Sequence, residues 1–337
     1  MCTNFRLSAG DGTVVIGRTM EFPNLMGARI TALPIGYQGA GIGVDGATGK
    51  AWIAEHGIVG VNAFGEAGTL TDGMNDQGVY AGLLYMPGFC DYTPAAGADP
   101  TSLMSIVNTV AYVLGTSSDL AGAKQAMAGA TVWPYVFGPF GFAPPAHLIV
   151  HDRNGASAVF EWRDGRMEVF DNPIGVATNG PHLDWHLTNL RNYLNLTATN
   201  PAERSIHGVE LAPIGQGPGM NGLPGDSSPP SRFVRATALT ASMRPVATGA
   251  ELETAALHVL NNFDLPLGYV RDGDDPANDD HTLWSTIANL HDLRYVIRTH
   301  DNPIPQAIRL ADVDFHAEKP VEADLPTGTF ATLRLTA

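Results

Sequence analysis

The sequence predicts an α+β protein built of layers, and three observations carry that expectation. β-prone runs occupy both ends of the chain, two amphipathic helical patterns lie between them, and strands do not alternate with helices as a parallel sheet requires. The first strands are Thr3 to Leu7 and Thr13 to Met20, separated by Ser8-Ala9-Gly10-Asp11-Gly12; Asp-Gly between β-prone runs is a strong hairpin signal. Leu103, Ile106, Val107, Val110 and Leu114 recur at helical spacing, and so do Leu252, Ala255, Ala256, Val259 and Leu260. Between these helices, His147 to Val150, Ala156 to Trp162 and Met167 to Phe170 read as a meander, punctuated by Asp152-Arg153-Asn154-Gly155 and Arg163-Asp164-Gly165. Gln216 to Ser231, rich in Gly, Pro and Ser, reads as a loop near a site. Strands resume from Thr282 to Thr299 and from Phe330 to Leu335.

Composition narrows the function classes. The chain has 337 residues, 44% of them hydrophobic and 16% charged, which suits one large core and a single catalytic domain over 1–337. No apolar run approaches the ~18 residues of a membrane span. A formal net charge of −15, without a basic stretch carrying interleaved aromatics, argues against nucleic acid. The only cysteines are Cys2 and Cys90, so a disulfide framework is not expected. A leader segment is not visible; the chain as written reads as cytoplasmic, or as periplasmic if a leader was removed and Met1 added. His182 and His186 stand four apart, but no glutamate follows His182 and no third metal ligand is evident. The acidic run from Asp272 to Asp280 contains Pro276 and lacks the closing glutamate of a calcium loop. No cofactor is called for.

The sharpest feature is Cys2. An initiator methionine is trimmed readily before a small residue, so the mature chain is expected to start with a cysteine bearing a thiol and a free α-amine. The two groups titrate near ~8.5 and ~7.7 to 8.0 when unperturbed, close enough to exchange a proton at neutral pH. An N-terminal amine that activates its own side chain is an established catalytic arrangement. The hairpin brings residues 18 to 21 beside Cys2, and strict alternation puts Arg18 and Glu21 on opposite faces. For both to serve the nucleophile, at least one is expected in a bulge or beyond the strand end.

Five ordered blocks then resemble the choloylglycine hydrolase and penicillin V acylase family of N-terminal nucleophile hydrolases. They are Cys2-Thr3 with Gly17 to Glu21; Asp72 to Gly78 leading into Ala81 to Tyr85; Asn172 to Asn179 followed by Asp184 to Leu190; Gly222 to Asp226 with Ser231-Arg232-Phe233; and Thr282-Leu283-Trp284. The resemblance implies a four-layer αββα sandwich and hydrolysis of a linear amide C–N bond through a thioester on Cys2. It implies Asn179 and the backbone N–H of Leu84 as oxyanion donors, Arg18 beside the thiol, Glu21 at the α-ammonium, and Arg232 in the charge network or at a polar substrate group. Two positions depart from the family pattern: Glu21 stands where aspartate is common, and Leu84 where bile salt hydrolases usually carry asparagine, which points to substrate choice.

The expected substrate is an acyl amide joining an apolar acyl group to a small amine. A penicillin V or acyl-amide acylase ranks above a conjugated bile salt hydrolase, and N-acyl homoserine lactones belong to the same chemical class. Met20, Phe22 and Tyr85 beside the nucleophile are expected to touch substrate. The aromatic cluster Trp133, Tyr135, Phe137, Phe140 and Phe142, broken by Pro134, Gly138, Pro139, Gly141 and Pro144, is expected to form a loop that walls an acyl pocket, with Trp133, Tyr135 and Phe137 as its substrate contacts. The family also implies a homo-oligomer, a dimer or tetramer. Rival classes are a catalytically silent binding protein on this fold and a precursor that cuts itself internally; the intact set of residues disfavours the first, and the lone internal cysteine, Cys90, the second.

Overall fold

The computed structural model describes residues 1–328, so the strand expected from Phe330 to Leu335 lies outside the described residues. The chain opens with the predicted hairpin, β1 (Cys2–Ser8) and β2 (Val14–Phe22), in which Cys2 pairs with Met20 and Asn4 with Arg18. β3 (Arg29–Leu33), β4 (Ile58–Ala63), β5 (Glu66–Asn75) and β6 (Val79–Tyr85) lead to helices α1 (Thr109–Thr116) and α2 (Leu120–Ala128). The meander follows as β7 (Ala146–Asp152), β8 (Ser157–Arg163) and β9 (Arg166–Asp171), then short β10 (Val176–Ala177) and α3 (Leu183–Asn189). α4 (Pro229–Ser242), α5 (Gly249–Leu260), β11 (His281–Asn289), β12 (Arg294–Thr299), β13 (Gln306–Arg309) and β14 (Val321–Asp324) complete the order.

These strands form two antiparallel sheets. One has the order β10-β1-β2-β11-β12-β13, the other β9-β8-β7-β6-β5-β4-β3-β14. α4 and α5 cover the first sheet, and α1 and α2 cover the second, giving the four αββα layers. Central strands buried on both faces follow from this stacking: eight of nine residues of β2 and all seven of β7 are buried. One core joins the first sheet to α4, α5 and the inter-sheet space, through Phe5, Ile16, Trp284 and Phe233. A second packs α1 and α2 on the outer sheet, through Val110, Leu114, Leu148 and Phe160.

Two boundaries differ from expectation. Leu103 and Met104 form a short parallel bridge with Thr131–Val132, and Ile106–Asn108 a 3₁₀ turn, so regular helix starts only at Thr109. The periodicity of burial was real, but it spans three kinds of backbone. The Gly/Pro-rich loop ends earlier than Ser231, because two prolines at the first turn of a helix cost no hydrogen bond and α4 begins at Pro229.

Gly17 faces Phe5 across the hairpin, and a Cβ there would overlap the Phe5 ring. Gly17→Ala is therefore expected to destabilise the fold by about 1–3 kcal/mol, read as a lower urea midpoint; an unchanged midpoint would show that Phe5 has room to move.

Candidate active site

Cys2 lies at the start of β1, 3% exposed, with its side chain in the inter-sheet space. Its Sγ is 3.8 Å from Arg18 Nη2 and 3.7 Å from Met20 Sδ. Arg18 is fully buried and forms an ion pair with Asp72, which is equally buried on β5 of the facing sheet. Burial works against the guanidinium charge, but Asp72 and the Cys2 sulfur more than offset it, so the pKa rises above the ordinary arginine value. The second amino group of Arg18 also donates to the Leu83 carbonyl at 3.0 Å. Asp72 in turn accepts from Tyr295 Oη and Thr286 Oγ1, both at 2.9 Å.

The expected bulge in β2 is absent. Arg18 and Glu21 sit on opposite faces of a regular strand, and the register shift falls in the neighbouring β11, between Thr282 and Trp284. The consequence is that the nucleophile is approached from two sides. Arg18 meets the sulfur within the inter-sheet space, whereas Glu21 lies on the α4 side, where Thr282 Oγ1 donates to its Oε1 at 3.3 Å. Burial pushes the Glu21 carboxyl above its usual pKa, with the N-terminal ammonium and Arg232 pulling it back down. Its Oε2 is buried without a hydrogen-bond partner.

Arg232 reaches in from the first turn of α4. It donates to the Cys2 carbonyl, to Thr3 Oγ1 at 2.8 Å and to Asn179 Oδ1. Burial lowers its pKa, with Glu21 and Cys2 opposing. Asn179 follows β10; its Oδ1 accepts from the Cys2 backbone N–H at 3.1 Å, and its Nδ2 donates to the Tyr85 carbonyl. One Nδ2–H is thereby used and the other is left for a ligand. The Met1 ammonium donates to the Glu21 carbonyl at 2.6 Å and lies 3.5 Å from Asp280 Oδ2.

The sulfur opens on an apolar cavity of about 90 Å³, walled by Met20, Phe22, Met26, Phe64, Leu83 and Tyr85 and closed by Ile106, Val107 and Phe140. Beyond Phe22, Phe64 and Tyr85 it meets a wider vestibule of about 480 Å³, bordered by Met1, Asn24, Phe142, Arg271, Asp272 and Asp280. Met20, Phe22 and Tyr85 stand where the sequence suggested. Trp133, Tyr135 and Phe137 do not. Trp133 donates to the Ile42 carbonyl and lies tilted against Tyr135, and Phe137 sits behind the cavity against Phe64. Of the loop's aromatic rings Phe140 lines the cavity, beside Pro144, and Phe142 borders the vestibule. Leu84 fills neither role expected of it: its side chain is fully buried in the inter-sheet core, its N–H points into the ladder with His147 and away from the sulfur, and its neighbours Leu83 and Tyr85 face the cavity.

Met26 and Phe64, unnoticed in the sequence, are paired by a 2.6 Å bond from the Phe64 N–H to the Met26 carbonyl. Both are left-handed, at φ of 52° and 62°, a conformation that non-glycine residues adopt rarely and that collects at binding sites. His182 Nδ1 faces Glu161 Oε2 and His186 Nε2 faces the Asn179 carbonyl, and no cluster with metal-ligand geometry occurs among the described residues.

Residues 2–323 match the profile of the linear amide C–N hydrolases, choloylglycine hydrolase family. The chain belongs to this family. It is 28% identical over 303 residues to a bile salt hydrolase/transferase of Clostridium perfringens, covering 90% of each protein. A penicillin V acylase of Pectobacterium atrosepticum is 25% identical over 284 residues, 78% of this chain and 69% of that one. In structure, a variant of the conjugated bile acid hydrolase of C. perfringens superposes with a TM-score of 0.87 at 25% identity, over 99% of this chain and 100% of that one. The penicillin V acylase of Agrobacterium tumefaciens shares the fold, with a TM-score of 0.76 at 22% identity over 97% and 92% of the two chains. This protein is thus a hydrolase of linear amide C–N bonds on the N-terminal nucleophile fold. No described helix is long and apolar enough to cross a membrane.

Two predictions follow from the burial of side chains around Asn179 and of the second cysteine. His186 is buried, which pushes its pKa down to about 4, against ~6.5 for the unfolded chain. The unfolded chain then binds the extra proton first, so this contribution to stability is complete above about 6.5 and is lost as pH falls toward 4. A pH series of urea midpoints should decline over that window, and less steeply in His186→Gln; equal slopes would clear His186 of the effect. Burial raises the Cys90 thiol to about 11, so Cys90 stays protonated at neutral pH. Cys90→Ser should keep kcat near wild type and lose only some thermal stability, whereas a large fall in kcat at unchanged Tm would move the chemistry to Cys90.

Proposed function

We propose that the mature chain, with Met1 removed, hydrolyses amides that join a slender apolar acyl group to a small amine, by way of a thioester on Cys2. The carrying observation is the position of the Cys2 sulfur, between the Arg18 guanidinium and the mouth of a narrow apolar cavity.

The α-amine of Cys2 takes the thiol proton, and the sulfur adds to the amide carbonyl. Arg18 stabilises the thiolate by its charge. The carbonyl oxygen becomes an oxyanion, held by the free Nδ2–H of Asn179. The C–N bond then breaks as the α-ammonium returns its proton to the leaving amine. Water, deprotonated by the same amine, cleaves the thioester and releases the carboxylic acid. Glu21, whose Oε2 has no partner, holds the α-ammonium between these steps. Arg232 fixes the Cys2 carbonyl and Asn179 Oδ1 together.

The cavity supports an order of substrates. An engineered apolar cavity of ~150 Å³ holds benzene, so about 90 Å³ suits a straight chain or the edge of one ring better than fused steroid rings. This favours a penicillin V acylase-like or acyl-amide acylase over a bile salt hydrolase, although the C. perfringens relative carries the latter name. The support comes from the walls of the cavity and no longer from Leu84, whose side chain lies in the core. Because both sheets contribute to one site, residues 1–337 read as a single catalytic domain. A homo-oligomer is supported by the exposed ribbon of Arg204–Ile206 and Val209–Leu211, which presents Ile206, Val209 and Leu211 to solvent.

Three measurements test this reading. Intact mass should show an active protein lacking one methionine residue and otherwise uncut, and Cys2→Ala should be folded and inactive; activity in protein that retains Met1, or in Cys2→Ala, would defeat it. Asn179→Ala should lower kcat roughly 100- to 1,000-fold with a smaller change in KM. On a panel of penicillin V, straight-chain N-acyl homoserine lactones, and glycine- and taurine-conjugated bile salts, kcat/KM should be lowest for the bile salts. If bile salts are the best substrates, the cavity argument is wrong.

A further inference from the structure

Asn179 and the strand on which its amide docks come from different sheets. Tyr85, whose carbonyl accepts from Asn179 Nδ2, ends β6 of the eight-stranded sheet, and Asn179 follows β10 at the edge of the six-stranded one. An oxyanion donor must keep a fixed place against the reacting carbonyl, and a displacement of ~1 Å can cost ~100-fold in rate. A further side chain ties the two sheets just before Asn179. His147 of β7 pairs in register with Leu84, and its Nε2 lies 2.9 Å from the carbonyl oxygen of Thr178, the residue before Asn179. β10 ends at Ala177, so the ladder stops short of that carbonyl and the imidazole takes its place.

The ring lies against a buried acid, with no hydrogen bond from its Nδ1. His147 is 3% exposed, and its Nδ1 lies 3.5 Å from Glu161 Oε1. Glu161, fully buried on β8, also accepts from the Leu183 N–H and faces His182 Nδ1, each at 3.0 Å. Arg163 donates to its Oε2 at 3.1 Å. A second imidazole, His186 of α3, places Nε2 3.0 Å from the Asn179 carbonyl. Successive carbonyls, 178 and 179, thus each end on a histidine, and the segment is fastened again at Leu183. Neither His147 nor His186 lines the cavity or the vestibule.

We propose that His147, set against Glu161, is a positioning residue that fixes the Asn179 amide in place beside β6, with His186 steadying the same segment. The proposal rests on the reading of Asn179 as an oxyanion donor. The test is steady-state kinetics on the panel amide that turns over fastest, penicillin V being the first probe, with Tm recorded for every variant. The variants are His147→Leu, His147→Gln and Glu161→Gln, each alone and combined with Asn179→Ala. His147→Leu should lower kcat about 10- to 100-fold with KM nearly unchanged. His147→Gln, which can still present an N–H to Thr178, should recover most of that loss. In the Asn179→Ala background none of the three should lower kcat further, because the donor they position is gone.

Multiplicative losses in the double variants would overturn the positioning role alone. A wild-type kcat in Asn179→Ala would overturn the oxyanion reading and the proposal with it. Where His147→Leu fails to fold, His147→Gln and Glu161→Gln decide: a kcat loss in Glu161→Gln that vanishes beside Asn179→Ala supports the proposal, and a fall in Tm with unchanged kcat refutes it.

Discussion

The buried ion pair between Arg18 and Asp72 is the contact on which the rest of this structure depends. It crosses the inter-sheet space from β2 to β5, and neither side chain touches solvent. Two charges removed from water are tolerated only when their remaining hydrogen-bonding capacity is used, and here Thr286 and Tyr295 complete Asp72 from β11 and β12. Taking away one partner of such a pair typically costs about 3–5 kcal/mol. The pair also aims the guanidinium: with one amino group held by Asp72, the other is turned to the Leu83 carbonyl and the Cys2 sulfur. Fold and reactivity therefore share a single arginine.

Around this pair runs a polar layer inside an otherwise apolar sandwich. Asn4 accepts from His151 Nε2 at 2.7 Å and donates to Tyr80 Oη at 3.3 Å, which joins β1 to β7 and β6. Burial holds His151 well below its ordinary pKa, so it bridges as a neutral ring. Apolar side chains would pack the sheets in many registers, whereas hydrogen bonds of fixed length admit few. A nucleophile whose arginine is aimed from the facing sheet, and whose cavity both sheets line, needs that restriction.

The sequence disclosed what local physics controls. The Asp11-Gly12 turn and the punctuated meander were readable because each is settled within a few residues. The Cys2 hairpin placed Arg18 and Glu21 beside the nucleophile, and Asn179 and Arg232 were recovered from the family resemblance. What stayed hidden depends on packing across layers. Asp72 stood within a quoted block, but its role required knowing which residue faces it from the other sheet. The aromatic loop was noticed for its composition, yet of its rings only Phe140 lines the cavity. Met26 and Phe64 went unread because methionine and phenylalanine rarely adopt a left-handed backbone, and the bond between them joins segments far apart in the chain.

The pairing of Met1 with Glu21 has a consequence for what maturation leaves behind. The Met1 ammonium donates to the Glu21 carbonyl, and the Glu21 N–H donates to the Met1 carbonyl at 3.0 Å. Met1 is thus a last rung on the β1–β2 ladder, set between the sulfur and the vestibule. Excision of Met1, as proposed, would unmask an amine and would also leave both the N–H and the carbonyl of Glu21 without that partner. The rung so vacated would offer an extended amide the same two main-chain bonds that Met1 makes now.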